Sequence, residues 1–330
     1  MRRLSGIDVT PSLIWTWLCF ALAAIFSSQA IANDREATAL SNEDEYVLAV
    51  FPYLAPRQIE NIYAPITAAL SEALGRQVRL TSSLSYSKFV HSLNEERFDL
   101  VFVQPFDYVS IADAYGYKPL VTRDEPLPAI LVVAENSPVQ TLSDLQDKII
   151  ALPPEVAAVS RLVKDHLIKS GYADNLDSRL QYQKSHFACM HQVIVGKAQA
   201  CGTAPPAVRF FRQKTDAKLR IVSQTMAIPN SLFAAHPRIS PQERQKIVDT
   251  MMSWPTTAQG RKLLERAKVK AFVPIEDSAY DIVRAMSQKE VSKQEFQQQE
   301  SQQQVSRKEK SKKELSQNEM SQKAVTHNEM

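Results

Sequence analysis

The stretch Arg97-Phe98-Asp99-Leu100-Val101-Phe102-Val103-Gln104-Pro105-Phe106-Asp107-Tyr108 decides how the rest of the chain is read. A short apolar run bounded by turn signals predicts a strand buried on both faces of a parallel sheet. Pro105 suits the first turn of a following helix, where a missing N–H costs nothing. The chain therefore leaves a sheet and enters a helix between Gln104 and Tyr108. In open α/β sheets ligands sit at that edge, outside the carboxyl ends of the strands. The expectation is a binding cleft lined by this edge.

Outward from that strand, both ends of the chain read as segments outside the fold. Met1-Arg2-Arg3 gives a positive start, Leu13 to Phe26 is apolar, and Ala30 and Ala32 are small. This is the layout of a cleaved secretory signal, residues 1–32, with 33–45 as a linker. The alternative is a membrane anchor, but a spanning helix needs roughly 20 apolar residues. Export to the periplasm, an oxidising compartment, follows. At the far end, 287–330 repeats loosely in fives, as in Ser287-Gln288-Lys289-Glu290-Val291 and Ser311-Lys312-Lys313-Glu314-Leu315. A five-residue period matches neither helix nor strand, so the tail is expected to be disordered or transiently helical. The 330 residues are 44% hydrophobic and 23% charged, and the formal charge of +3 is too small to argue for nucleic acid or an anionic membrane.

Between the ends, Tyr46–Phe51 reads as a strand. A helix with apolar Ile59, Ile62, Tyr63, Ile66, Leu70 and Leu74 follows and closes at Gly75. Pro65 inside it predicts a kink or a late start. Val78–Thr81 is a strand, Tyr86–Leu93 a helix, and Phe98–Val103 the strand above. This βαβαβ run predicts a parallel sheet. After a buried strand at 129–134 the βα pattern restarts. Lys148–Leu152 is a strand, 156–170 a helix, Leu180–Gln183 a strand, His186–Val195 a helix and Ala198–Thr203 a strand. Leu232–Ala235 returns, and helices at 241–254, 257–267 and 277–286 close the chain. The expected architecture is α/β: two βα lobes, 46–128 with 233–286 and 129–232, joined by two crossing strands as a clamshell.

With both halves in view, the chain resembles the periplasmic solute-binding proteins of the phosphate, phosphite and phosphonate uptake family, which have the type II periplasmic-binding fold. Four pieces carry this: Phe51-Pro52 to Pro65; Tyr86 followed by Phe98–Phe102 and Pro105–Tyr108; Leu142-x-x-Leu145-x-x-Lys148 before a strand; and Ser185-His186 followed by Val193 and Gly196. The resemblance implies ligand contacts from Tyr86 or Tyr108 and from His186, and a solute handed to an ATP-driven (ABC) permease. The chain departs from the family in two places. Where phosphonate binders carry Ser-Thr-Ser-Gly it reads Ala157-Ala158-Val159-Ser160, and Gln199 replaces a usual aspartate, so the ligand is expected to differ. Backbone N–H groups of Ala158, Val159 and Ser160 can still hold an anion at a helix start.

Tyr53, Tyr86, Gln104, Tyr108 and His186 all stand just past predicted strand ends or at helix starts, as cleft linings do. Asp107 reads as a first-turn acid favoured by the helix dipole. Once Cys19 leaves with the signal, Cys189 and Cys201 remain, and an even count in an oxidising compartment favours a disulfide. A redox-active pair, or a metal set with His186, are the alternatives. Hydrolase, nucleotide-loop and zinc-protease motifs are absent from the sequence. The expectation is a monomeric, non-enzymatic protein without cofactor or nucleic-acid partner. It closes on a small, anionic solute for a permease or, alternatively, signals to a membrane sensor kinase.

Overall fold

Leu100, Val101, Phe102 and Val103 are each at most 1% exposed, because apolar layers cover both faces of their strand. Leu100 and Phe102 pack with Ile59, Tyr63 and Ile247 on one side, and Val101 and Val103 with Phe89, Phe106 and Val109 on the other. The computed structural model describes residues 45–173 and 175–289; the signal segment, most of the linker and the tail beyond 289 lie outside them.

The first βα run is β1 (Glu45–Val50), α1 (Pro56–Leu74), β2 (Gln77–Ser82), α2 (Tyr86–Asn94), β3 (Leu100–Val103), α3 (Pro105–Tyr115) and β4 (Lys118–Arg123). After β5 (Ile130–Ala134) the second run is β6 (Ile150–Leu152), α4 (Ala158–Lys169), β7 (Leu180–Tyr182), α5 (His186–Ile194), β8 (Ala200–Thr203), α6 (Pro205–Thr215) and β9 (Leu219–Gln224). The chain then returns through β10 (Leu232–Ala235), α7 (Pro241–Ser253), α8 (Ala258–Ala267) and β11 (Phe272–Pro274), and 281–289 is helical. Helix α1 starts at Pro56 and continues through Pro65 to Leu74, so Pro65 does not mark a late start. The carbonyl that Pro65 leaves without its helical N–H donor, on Asn61, belongs to an exposed residue, so leaving it open to solvent costs little.

Two sheets result, with strand orders β11-β4-β10-β3-β1-β2 and β7-β6-β8-β5-β9. In the first, β10 lies antiparallel between β3 and β4; in the second, β5 lies antiparallel between β8 and β9. Each sheet thus receives one strand from beyond a crossing, in the same slot. The two crossings also bond to each other, Leu127 and Ile228 exchanging N–H···O bonds of 2.8 and 3.1 Å. A two-stranded neck of this kind lets sheets pivot while keeping backbone groups paired.

One glycine is sterically required in the first sheet's helical layer. Gly260 lies in the first turn of α8, and a Cβ there would fall inside the backbone of Trp254 and against Thr257 Oγ1, 2.6 Å away. Backbone cannot yield as a side-chain tip can. Gly260→Ala is expected to cost about 2 kcal/mol by overpacking, lowering the melting temperature by roughly 4–8 °C. An unchanged melting curve would refute the close approach.

Candidate functional site

Gln104 ends β3 in an extended conformation and precedes α3 without capping it. Its side chain is therefore free to reach across to the other sheet's elements. There Ala158 N–H donates to its Oε1 (2.9 Å), and its Nε2 donates to Val156 O (2.8 Å). The remaining Nε2 hydrogen goes to Tyr86 Oη at 2.9 Å. The reason for this reach lies in α4. Its N-cap is Ala157, which has no side-chain acceptor, and a helix start leaves four N–H groups unsatisfied. Gln104, 5% exposed, supplies the missing cap from the opposite lobe.

Around this bridge stands a buried polar cluster. Tyr86 Oη donates to Asp107 Oδ1, and burial pushes the Tyr86 phenol above its ordinary range. Burial likewise pushes the Asp107 carboxyl up to about 6, against the pull of Tyr86, Gln104 and Arg161. Arg161, on α4, lays its guanidinium 4.0 Å from the ring centre of Phe106, on α3. Ser160 turns its hydroxyl back to the carbonyls of Pro153 (3.2 Å) and Pro154 (3.0 Å), so it fixes the loop that leads into α4.

His186 opens α5 at the carboxyl end of β8, its Nδ1 2.8 Å from Thr203 Oγ1. Burial pushes the imidazole down to about 4. It therefore stays neutral near pH 7, and Nε2 acts as a neutral donor or acceptor. The Cε1–H resonance of His186 is expected to hold its neutral position down to about pH 5, since desolvation opposes the charged form. A titration midpoint near 6.5 would show the ring open to solvent.

Two candidates stand apart from the cluster. Tyr53 pairs its hydroxyl with Tyr63 (3.0 Å) and stacks on Phe51, within the layer that holds α1. Tyr108 is 0% exposed, packs its ring 4.8 Å from Tyr280, and donates its hydroxyl to Asp277, which Arg284 also holds. It ties α3 to the closing segment.

The halves correspond at a spacing of 100 residues. Helices 86–94 and 186–194, strands 100–103 and 200–203, and helices 105–115 and 205–215 align in register. Ser85 and Ser185 cap matching helices, and Tyr86 matches His186. Asp99 Oδ2 accepts from Val47 N–H (2.7 Å), and Gln199 Oε1 accepts from Ile149 N–H (3.0 Å). Gln199 therefore braces a strand start, as Asp99 does in the matching place. That spacing is also the signal by which Thr203, missed in the sequence, could have been found, since it ends the strand matching β3.

Cys189 and Cys201 form a disulfide with Cα atoms 5.7 Å apart, both 0% exposed. The bridge lies in the second sheet's own apolar cluster with Met190, Val193 and Phe211, and it consumes both thiols.

The model of a family described as "ABC transporter, phosphonate, periplasmic substrate-binding protein" matches residues 48–280. The fold is similar to that of PhnD1 from Prochlorococcus marinus, solved in complex with methylphosphonate: 15% identity over 74% of this chain and 98% of that one, TM-score 0.64. A binding protein component of a phosphonate transporter from Pseudomonas aeruginosa is 12% identical over 74% of this chain and 85% of that one, TM-score 0.62. A Xanthomonas citri protein bound to ATP is 14% identical over 74% and 96%, TM-score 0.60. At such identities the structural likenesses establish the two-lobed periplasmic-binding fold alone. The family match spans most of the chain, and on it the protein belongs to the periplasmic substrate-binding proteins of phosphonate ABC transporters.

Proposed function

We propose that the protein captures a small oxyanion in the periplasm at the start of α4 and presents it to the permease of an ATP-driven transporter. The moving bodies are residues 46–128 with 233–286, and 129–232, pivoting on the paired crossings. One observation carries the reading: an oxygen acceptor from one lobe, Gln104 Oε1, already sits on the first N–H of a helix in the other. A helix start favours negative charge there, and an oxyanion is a better acceptor than an amide. The solute would displace Gln104 from Ala158 and take the N–H groups of Ala158 and Val159. Tyr86 and His186 would wall the site, and the freed Gln104 amide would donate to the solute. Ser160, Tyr53 and Tyr108 serve as scaffold in this reading. The leader, 1–32, supplies export.

The test is a thermal-shift titration with methylphosphonate, phosphite, phosphate and sulfate, with amino acids as controls. A bound oxyanion at about 100 times its Kd stabilises by roughly 2.7 kcal/mol, raising the melting temperature by roughly 5–10 °C. A shift with amino acids and none with oxyanions would reject the assignment.

A further inference from the structure

Arg123 is the last residue of β4, and the sheet register brings it level with Gln104. Leu232 of β10 faces Val103 on one side and Thr122 on the other, so Gln104 and Arg123, each one residue on, flank Ser231. Arg123 N–H donates to the Ser231 carbonyl there (3.4 Å). Two strand spacings, about 10 Å, separate the pair along the carboxyl edge of the sheet. The Arg123 guanidinium lies 5.4 Å from the ring centre of Phe102 and beside the Tyr63 phenol. Its Nε is shut off from solvent and, among the described residues, donates no hydrogen bond. Nor does Arg123 share in any ion pair of the described residues. Aromatic rings offset only part of the cost of drawing a cation out of water, and an unpaired buried donor calls for a partner. The strand itself does not require the charge. At the 100-residue spacing lobe 2 carries Ser223, an uncharged residue whose hydroxyl pairs with His166 Nε2 (2.9 Å).

We infer that Arg123 is a second anion subsite of the cleft, and that the solute is an organic oxyanion with a second anionic group, in its simplest form a phosphonocarboxylate. This rests on the solute site proposed above. One end of such a solute takes the α4 N–H groups. A turn of the guanidinium away from Phe102 then gives Nε and a terminal nitrogen to the carboxylate as a fork, two parallel charge-assisted bonds. The spacer between the two heads passes Phe51 and Tyr53, which are half-buried and stack on one another (4.8 Å), with Phe51 also on Phe102 (5.9 Å). Such rings give apolar chain a flat wall. A one-headed anion leaves Arg123 unpaired and gains nothing from it. A two-headed one pairs it where solvent is partly excluded and the attraction is strongest.

Calorimetric titration of the full chain with two matched series tests this. One series is phosphonoacetate, phosphonopropionate and phosphonobutyrate; the other is ethyl-, propyl- and butylphosphonate, of the same chain lengths without the carboxylate. At the spacer that fits, the carboxylate form is expected to bind at least about tenfold more tightly than its alkyl counterpart. In Arg123→Gln that advantage is expected to vanish, while methylphosphonate, which is too short to reach Arg123, binds within about twofold of wild type. Arg123→Lys keeps the charge and loses the fork, and is expected to retain only about a two- to threefold advantage. It also serves as the second variant should the glutamine disturb the layer around Phe102. Alkyl forms that match or exceed the carboxylates at all three lengths would overturn the inference while methylphosphonate binding keeps the site. So would an undiminished advantage in either variant. Binding of no phosphonate, methylphosphonate included, would overturn the site itself and the inference with it.

Discussion

Gln104→Ala is expected to open the two lobes of the unliganded protein. The substitution deprives Ala158 N–H of its acceptor and Val156 C=O of its donor, and both groups stay unpaired only while the lobes are together. The buried Ala158 N–H, left without an acceptor, costs about 1–3 kcal/mol, whereas opening returns it to water; Val156 is already 44% exposed and adds little. The ratio of closed to open molecules should therefore fall by roughly 5-fold to 150-fold. Arg161 over Phe106 remains as a contact between α4 and α3, but a single cation–ring contact is worth only about 0.5–2 kcal/mol. Small-angle scattering reads the outcome: a larger radius of gyration than wild type. Saturating methylphosphonate should bring the variant back to the wild-type dimension, because the solute's oxygen replaces the lost acceptor on Ala158. A scattering curve identical to wild type without ligand would show that Gln104 does not hold the lobes.

That latch illustrates what a linear sequence conveys and what it withholds. Buried strands announce themselves by composition, and Leu232–Ala235 is found where its four apolar residues place it. Helix ends are equally plain where a glycine adopts a left-handed turn, as at Gly75 with φ 64°. Strands β4 and β9 do not stand out. Lys118-Pro119 reads as a turn, and β9 lies at the edge of its sheet with Ile221 54% exposed, so neither shows the pattern of a buried strand. Helix α6 opens on Pro205-Pro206, which looks like a break although proline is welcome at a helix start. For the site, the rule that ligands gather past strand ends brought Tyr86, Gln104 and His186 to attention. The same rule also brought in Tyr108, which lies one helical turn beyond Gln104 and is drawn into the core by Tyr280 and Asp277. The partnership of Gln104 with Ala158 joins residues 54 apart across two lobes, and no local periodicity encodes such a pairing. Asp107 reads as an ordinary first-turn acid because its burial comes from Tyr86 and the opposite lobe.

Removing the cross-link with Cys189→Ala/Cys201→Ala is expected to lower stability without touching solute binding. The bridge closes a loop of sequence separation 12, which in the chain-entropy model is worth about 3 kcal/mol. That corresponds to a fall of roughly 6–12 °C in the melting temperature. The matching positions of the other lobe show what the bridge replaces. Phe89 and Val101, at the 100-residue spacing, are 0% exposed members of one apolar cluster, so a large ring fills the space that lobe 2 fills with two sulfurs. The alanine pair therefore leaves a small void as well as a longer free loop, and reduction of the wild-type protein separates the two. Reduced wild type loses the cross-link alone and should melt between the oxidised protein and the double variant. Because the bridge packs with Met190, Val193 and Phe211, and not with the polar cluster at Gln104, oxyanion affinity well below the melting range should be unchanged in all three forms. Equal melting of oxidised and reduced protein would mean that the unfolded chain is already constrained between these positions. A loss of affinity on reduction would instead tie the bridge to His186, which opens the same helix three residues before Cys189.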